Sequence, residues 1–554
     1  MSSQSPKLPL LRVPPFPGSR PVQFASPAQG GANPDPALLG DLARNLRGMR
    51  VGGAYWGVQP SLPDHPYCLV RTSNRASLSS LIVEAEGPVV CWLDSPSTLA
   101  DLDNSNVTIV SGECDPWHLL GGAASVVTDE GDELCALAAA ADLPVTIADQ
   151  QGFRQLAFGA ANELLAERLL SFDYFDPFTG ASMDAGKAIE LCGFWRRLID
   201  GNRTIAAAAG FALWKRPTVE PLLWPGGSGV GFISNAGTVS PADRVAIWRA
   251  RASSRLLREL ERRKAALVEV EDGFIRSAGL GADCVPPLSI VVDRLGAHFD
   301  PERPSELETL LQQAEFPAPL LERARRLRHA IVASGLSKYA AGGKPVRRRH
   351  PSRSHVLVPG QVEDDRAVVS GGAGLSSNLE LLRRVRASCP EGYIIYKPHP
   401  DVEAGHRSGA VADERCLEFA DEIVRTEPIS ALLDLADEVH VNTSLAGFEA
   451  LLRRTKVTTH GVPFYAGWGL THDLGPVPAR RTAKRTLDEL VAATLLLYPR
   501  YVDPLSLLPC PAEVVVDRLA EGRTEGMGGL VVRLRRMHGR VRRSLAAVRS
   551  LVAA

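Results

Sequence analysis

Three short stretches carry residues whose types and spacing could do chemistry. In "VEVEDGFIRS", residues 268–277, two adjacent carboxylates, Glu271 and Asp272, close an apolar run just before Gly273. Paired acids at a strand end suit a nucleophile or general base held at a cleft, and Arg276 and Ser277 follow within reach of an anionic substrate. In "IIYKPHPDVEAGHRSG", 394–409, Lys397 and His399 follow a second apolar run. Pro398 and Pro400 bracket the imidazole, each ring fixing its own φ and restricting the residue before it. A lysine or histidine so held can meet a phosphate as a charged donor. In "VHVNTSLAGFEALL", 439–452, Thr443 and Ser444 precede a helix expected to begin near Leu445 and to carry Glu449. Such a start offers hydroxyls, unpaired amides and the positive end of the helix dipole to an anion. Each stretch has a plainer reading too: an acidic strand end facing water, a His-Pro turn, an ordinary helix cap. Together the last two, strand ends offering an imidazole and hydroxyls, point to a nucleotide phosphate site.

These residues need strand ends to hold them. Apolar runs at 88–93, 107–110, 125–128 and 145–147 alternate with Ala/Leu-rich helical stretches, a pattern that argues for a parallel α/β sheet. The alternation resumes after Gly210 with "GVGFIS", a helix expected through Arg244 to Lys264, and "AALVEVEDGFIRS". The Gly/Lys/Arg-rich segment 342–354 reads as a hinge, after which "HVLVPGQ" opens another α/β unit. Open sheets of this kind bind ligands at the carboxyl ends of their strands. An internal repeat is also visible: "LLSFDYFDP" (169–177) and "LLYPRYVDP" (496–504) share Leu, Leu, Tyr, Asp and Pro in register. Upstream, "SVVTDEGDELCALAAAADLPVTI" (125–147) resembles "HVNTSLAGFEALLRRTKVTTHG" (440–461) in pattern. Two modules are expected, the front one shortened; chance similarity of two α/β segments is the alternative.

Composition bounds the rest. With 554 residues, three or four lobes are expected. Sixty-two basic against 63 acidic residues leave a net charge of -1, which carries no nucleic-acid signature, so any charge logic is local. The nine cysteines contain no C-x-x-C pair and read as buried small hydrophobes in a reducing compartment, not as a disulfide frame or zinc site. No apolar run reaches the roughly 18 residues of a membrane span. The first 36 residues hold nine prolines and no hydrophobic core of a signal peptide, so a disordered tail is expected.

The stretches "VEDGFIRSAGLGADCVPPLSIVVD", "VLVPGQVEDD", "IIYKPHPDVEAGHRSG" and "NTSLAGFEALLRRTKVTTHGVPFYAGWGLTHD", in that order over roughly 200–505, resemble the capsular polysaccharide β-Kdo transferases, and more distantly the bacterial sialyltransferases. The resemblance implies a GT-B-like α/β fold, two Rossmann-like lobes facing a cleft, here with an extra N-terminal α/β lobe. It implies a retaining transfer of Kdo from CMP-Kdo to a lipid-linked acceptor. His399 and Ser444, with Lys397 and Thr443, would then hold the CMP phosphate, and Glu449 would meet the ribose or base. Retention requires two displacements at the sugar. Asp272 is the expected nucleophile, Glu271 the reserve; Gln361 and Asp364 would line the cleft. Bond cleavage puts negative charge on phosphate and positive charge on the ring, so donors should face one and a carboxylate the other. No cofactor is expected. The "EDD" run at 363–365 reads as a solvated loop, and no metal site is expected. The aromatics of "VPFYAGWG", 462–469, either stack on a base or sugar or pack a Gly-rich connection. Another CMP-keto-sugar donor, or a non-catalytic scaffold for capsule assembly, are the alternatives.

The expected division is a disordered tail over 1–36, a degenerate Rossmann-like lobe over 37–177, an acceptor lobe over 178–341, the hinge over 342–354, a donor lobe over 355–475, a helical crossover over 476–525 and a basic amphipathic helix over 526–554. The usual family member has two complete modules. Here, matching Leu134 to Phe448 sets Asp129 and Glu130 where Thr443 and Ser444 stand. Carboxylates repel phosphate, so the front lobe is expected to be silent; its Asp64-His65-Pro66 reads as a structural turn. Residues 526–554 hold seven arginines and no acid, with apolar residues at intervals of three and four from Leu530 to Val552. Such a helix suits an anionic membrane surface, or packs on the protein or a partner. The expectation is a cytoplasmic protein, peripheral at the inner membrane, meeting a CMP-sugar, a glycolipid acceptor and other capsule assembly and export proteins, but no nucleic acid.

Overall fold

The computed structural model describes residues 8–28, 35–73, 87–94, 106–149, 152–277, 285–337, 346–405 and 407–523. The chain divides into two compact units, Met1–Thr204 with Leu223–Val230, and Ile205–Leu222 with Gly231–Ala554.

The first unit is built on a six-stranded sheet in the spatial order Val107–Ser111, Val89–Leu93, Tyr67–Arg71, Ala123–Asp129, Val145–Asp149, Gly152–Gln155. Only the last pair is antiparallel. Numbered along the chain the order is 3-2-1-4-5-6, the doubly wound arrangement that places a ligand crevice where the order reverses. Two expectations are corrected here. Residues 8–28 are packed, not a disordered tail: Leu10 and Leu11 are fully buried, and Ala25–Pro27 pairs with Phe172–Phe175. The prolines hold the segment extended, with its apolar residues turned inward. The boundary expected at 177 also moves, because the helix Ala185–Asn202 belongs to this unit. Its Trp195 packs on Phe16 and Phe24, and its buried Arg196 pairs with buried Asp115 at 2.7 Å.

The second unit contains two larger sheets. The seven-stranded one runs Gly231–Ile233, Ile205–Ala209, Arg244–Ile247, Ala266–Asp272, Ser289–Asp293, Pro499–Val502, Pro509–Cys510. Its first four strands are parallel and the rest antiparallel to their neighbours. The helix expected through Arg244 to Lys264 is corrected: Arg244–Ile247 is a central strand, and the helix is Ser254–Arg262, capped by Ser253. Val245, Ala246 and Ile247 are fully buried, as the interior of a parallel sheet requires and an amphipathic helix does not. The six-stranded sheet runs Glu422–Ile423, Tyr393–Lys397, His355–Pro359, Glu438–Val441, Lys456–Thr459, His472–Asp473, with every neighbour parallel. It again has the order 3-2-1-4-5-6.

Residues 346–354 of the expected hinge are tied to this second sheet, Arg348 to Asp437 at 2.6 Å and Arg353 to Asp421 at 2.9 Å. Among the described residues no helix is long and apolar enough to cross a membrane. The basic stretch 526–554 lies outside the described residues.

Candidate active site

Asp272 ends the strand Ala266–Asp272 and is gripped from two sides. Lys215 Nζ donates to Oδ1 at 3.1 Å, and Arg276 Nε meets Oδ2 at 2.9 Å. Lys215 comes from the segment after the strand Ile205–Ala209, which lies one strand away across Arg244–Ile247, so two strand ends of one sheet supply the pair. It is buried with its ammonium 3.2 Å from the centre of the Trp248 ring. Burial pulls its pKa down to about 8, against the pull of the Asp272 charge. Arg276 and Ser277 are buried as well, Arg276 Nη1 donating to Ser277 Oγ at 2.7 Å and Nη2 to the Val285 carbonyl at 3.0 Å. They brace the carboxylate from within. Gly273 is required at this corner, since a Cβ there would lie 2.8 Å from Ser289 Cβ.

Glu271 points to the other face of the strand, where Arg366 pairs with it. Burial pushes its carboxyl up to about 7; Arg366 opposes that rise and the charge of Asp272 adds to it. Two adjacent acids thus live in different environments, one held by two cations and one desolvated.

The remaining candidates gather at the carboxyl ends of the six-stranded sheet. His355–Pro359 and Glu438–Val441 are the strands between which its order reverses, and Gln361 and Thr443 follow them. Gln361 spans the gap: its Nε2 donates to Thr443 Oγ1 at 3.0 Å and its Oε1 accepts from the Thr443 amide at 2.9 Å. Ser444 caps the helix Leu445–Leu452, its Oγ accepting from the Ala446 amide at 3.2 Å. Tyr465, fully buried, donates to the Ser444 carbonyl. Lys397 ends the adjacent strand and His399 follows it, and Gly360 donates to the Lys397 carbonyl at 2.8 Å. His399 is itself a helix cap: Nδ1 accepts from the Asp401 amide at 3.1 Å, which leaves the ring proton on Nε2. Lys397 Nζ donates to the Arg425 carbonyl at 2.6 Å, and burial lowers its pKa.

The two sheets of this unit meet at these tips. Phe274, two residues beyond Asp272, packs on Phe464 and Phe448 with ring centres 4.8 Å and 6.2 Å away. Phe448 is on the Ser444 helix. Arg366, which holds Glu271, begins the helix Arg366–Gly371, and a Cβ on Gly371 would touch Thr443 Cγ2 at 3.1 Å. The acid strand therefore abuts the helix and loop that carry Thr443 and Ser444. Glu449 is buried in that helix beside Tyr465. Phe464, Tyr465 and Trp468 are all buried, so the aromatics of 462–469 pack the connection. In the acidic run, Glu363 accepts from the Asn378 amide at 2.8 Å, Asp365 caps a helix, and exposed Asp364 pairs with Arg407 at 3.2 Å.

The front sheet has a different plug at the corresponding gap. Asp129 accepts from Thr72 Oγ1 and, at 2.8 Å, from the Ser73 amide. The helix cap equivalent to Ser444 is Asp132, at the start of Glu133–Ala140. Aligning helix starts corrects the match of Glu130 to Ser444: three residues separate strand from helix in both units, so Asp132 stands where Ser444 does.

Lys215 and Arg366 are functional candidates that the motifs missed. Lys215, in "ALWKRP", could have been found as a cation after a strand end. Nothing local marks Arg366, whose partner is 95 residues away.

The model of the capsule polysaccharide biosynthesis protein family matches residues 243–343 and 340–501. The capsule polysaccharide modification protein LipA of Neisseria meningitidis serogroup A is 39% identical over 363 residues, 64% of this chain and 51% of that protein. The lipopolysaccharide-processing protein LpsZ of Rhizobium meliloti is 50% identical over 239 residues, 42% of this chain and 54% of that protein. The chain thus spans about half the length of the curated relatives it matches. Among solved structures, the β-Kdo 2,4 transferase of Thermosulfurimonas dismutans KpsC is 31% identical, with a TM-score of 0.50, over 57% of this chain and 98% of that one.

Proposed function

Since the chain belongs to the capsule polysaccharide biosynthesis family, we propose that it is a glycosyltransferase moving Kdo from CMP-Kdo to a lipid-linked acceptor, with retention, in a GT-B-like pair of lobes. The observation that carries this reading is the junction of an ion-paired carboxylate, Asp272, with the helix start and hydroxyls of Thr443 and Ser444. The similarity to a β-Kdo transferase over nearly all of that chain supports it.

In this mechanism Asp272 Oδ attacks the anomeric carbon as the bond to the CMP phosphate breaks, and CMP leaves with the electron pair. Lys397, His399 Nε2, Thr443 and Ser444 meet the charge that develops on the phosphate. The acceptor hydroxyl then attacks the same carbon, the Asp272 ester bond breaks, and Glu271 takes the hydroxyl proton. A carboxyl near pKa 7 is suited to that exchange at neutral pH. Glu449 and Gln361 shape the donor pocket; Arg276 and Ser277 position the nucleophile, a role that their burial favours over direct substrate contact. No step requires a metal. The front unit, with carboxylates at its strand-order reversal, is silent in this reading. The acceptor is a glycolipid at the cytoplasmic face of the inner membrane, reached through the basic stretch 526–554.

The test is incubation with CMP-Kdo and a Kdo-primed lipid acceptor, with products analysed by mass spectrometry and NMR. The expected product carries one added β-Kdo, and a quenched reaction carries a sugar on Asp272. Product from another CMP-keto-sugar alone would reassign the donor. No product with any CMP-sugar would favour a scaffold.

A further inference from the structure

Among the described residues, one group of side chains away from the strand tips just described has the make-up of a metal site. Ligand atoms of Cys389, Glu438 and His440 all lie within 4.8 Å of one another. They sit toward the amino end of the six-stranded sheet. Glu438 opens the strand Glu438–Val441, and Cys389 ends the helix Asn378–Ser388 that leads into the strand Tyr393–Lys397. The period of two along a strand turns Glu438 and His440 to one face.

Two of the three distances are close to those of a coordination shell. His440 Nε2 is 3.1 Å from Glu438 Oε1 and 3.6 Å from Cys389 Sγ. A tetrahedral zinc with ordinary Zn–N, Zn–O and Zn–S bonds has an N···O edge of about 3.4 Å and an N···S edge of about 3.6 Å. A thiolate, a carboxylate and a neutral imidazole also sum to the charge that balances a divalent cation. The outer shell is in place: His440 Nδ1 is 3.1 Å from Nε2 of buried His460, a contact that aims Nε2 at the metal when Nδ1 carries the proton. Glu438 Oε1 accepts from Thr458 Oγ1 at 2.8 Å.

We propose that Cys389, Glu438 and His440 bind a zinc-like divalent transition metal, with water as the fourth ligand, clipping the end of the helix Asn378–Ser388 to the sheet. Cys389 is then the exception to the reading of the cysteines as inert apolar residues. Binding forms the Cys389 Sγ–metal bond and releases the thiol proton to solvent. The site is independent of the proposed transfer reaction.

The whole 554-residue chain, stripped by a chelator, is titrated with Co²⁺ and then with Zn²⁺ against a chromophoric competitor. The expected result is saturable cobalt binding with tetrahedral d–d bands and a thiolate-to-cobalt charge-transfer band. Cys389→Ser should abolish that band and weaken Zn²⁺ at least tenfold, and His460→Gln should weaken it about 10- to 100-fold. Glu438→Gln changes a partly exposed residue; with folding checked by circular dichroism, it should weaken Zn²⁺ as well. An absence of saturable binding, a charge-transfer band that survives Cys389→Ser, or a Zn²⁺ affinity unmoved by Glu438→Gln would each overturn the proposal.

Discussion

At the scale of residues, the adjacent acids differ in what they touch, and the difference is testable. Asp272→Asn keeps the shape and the Arg276 and Lys215 neighbours but removes the proposed nucleophile. Transfer should fall by about 10³-fold or more, with CMP-Kdo binding retained, as read by single-turnover assays and calorimetry. Glu271 makes a prediction about stability. Its carboxyl is raised from 4.5 to about 7 in the fold, so between those values the unfolded chain has lost a proton that the folded chain keeps. Stability therefore falls as pH rises through this window, by about 3 kcal/mol in full. Glu271→Gln cannot lose it. The difference in unfolding free energy, variant minus wild type, should move in the variant's favour between pH 4.5 and pH 8 in denaturant titrations, and a flat difference would contradict the burial argument.

At the scale of elements, the helix Leu445–Leu452 is held at its start by a tyrosine that leaves no room for a side chain. A Cβ on Gly447 would lie 2.8 Å from Cζ of fully buried Tyr465, which donates to the Ser444 carbonyl. Gly447→Ala must displace the ring or the helix start. The expected destabilisation is roughly 1–3 kcal/mol, measured by chemical denaturation, together with weaker CMP binding, since the hydroxyls move with the helix. Gly→Ala in a helix with open space would be stabilising by up to about 1 kcal/mol, so the sign of the change decides. The same scale explains how the repeat works. Tyr174 donates to the Leu169 carbonyl and Tyr501 to the Leu495 carbonyl, both at 2.9 Å. Asp176 and Asp503 then each cap the following turn, at 2.8 Å to the Phe178 amide and 2.9 Å to the Ser506 amide. The shared Tyr and Asp are structural fasteners of equivalent corners.

At the scale of the whole molecule, the two compact units have separate cores, so damage to one should be read in that one. Phe274 is buried between His298, Phe448, Phe464 and Tyr498 in the second unit. Phe274→Ala should cost roughly 3–5 kcal/mol. In hydrogen exchange followed by mass spectrometry, protection should drop across the strands Ala266–Asp272 and Glu438–Val441. It should persist across Tyr67–Arg71 and Ala123–Asp129, whose sheet lies in the first unit. Equal loss in both units would show that they unfold as one body.

The residue order alone determined a good deal. Hydrophobic periodicity located the strands on which Asp272, Lys397 and Val441 end, and the Pro, Gly and Ser/Thr punctuation after them located the loops, because both signals are short-range. The helix beginning at Leu445 was legible for the same reason: Ser444 is a cap and the apolar spacing follows it. Short-range signals failed where an alternative partner lay far along the chain. The segment 8–28 looks unfoldable in isolation and is buried by Trp195, more than 160 residues later. The strand Arg244–Ile247 looks like the start of a helix until flanking strands cover both edges. Lys215 finds Asp272 across 57 residues and Arg366 finds Glu271 across 95. Only the tertiary structure decided that Arg276 turns inward to its own strand's acid, that Gln361 bridges to Thr443, and that Cys389 stands beside His440. Each depends on which strands lie side by side, and strand order is set by burial summed over the whole sheet, which no single stretch of residues encodes.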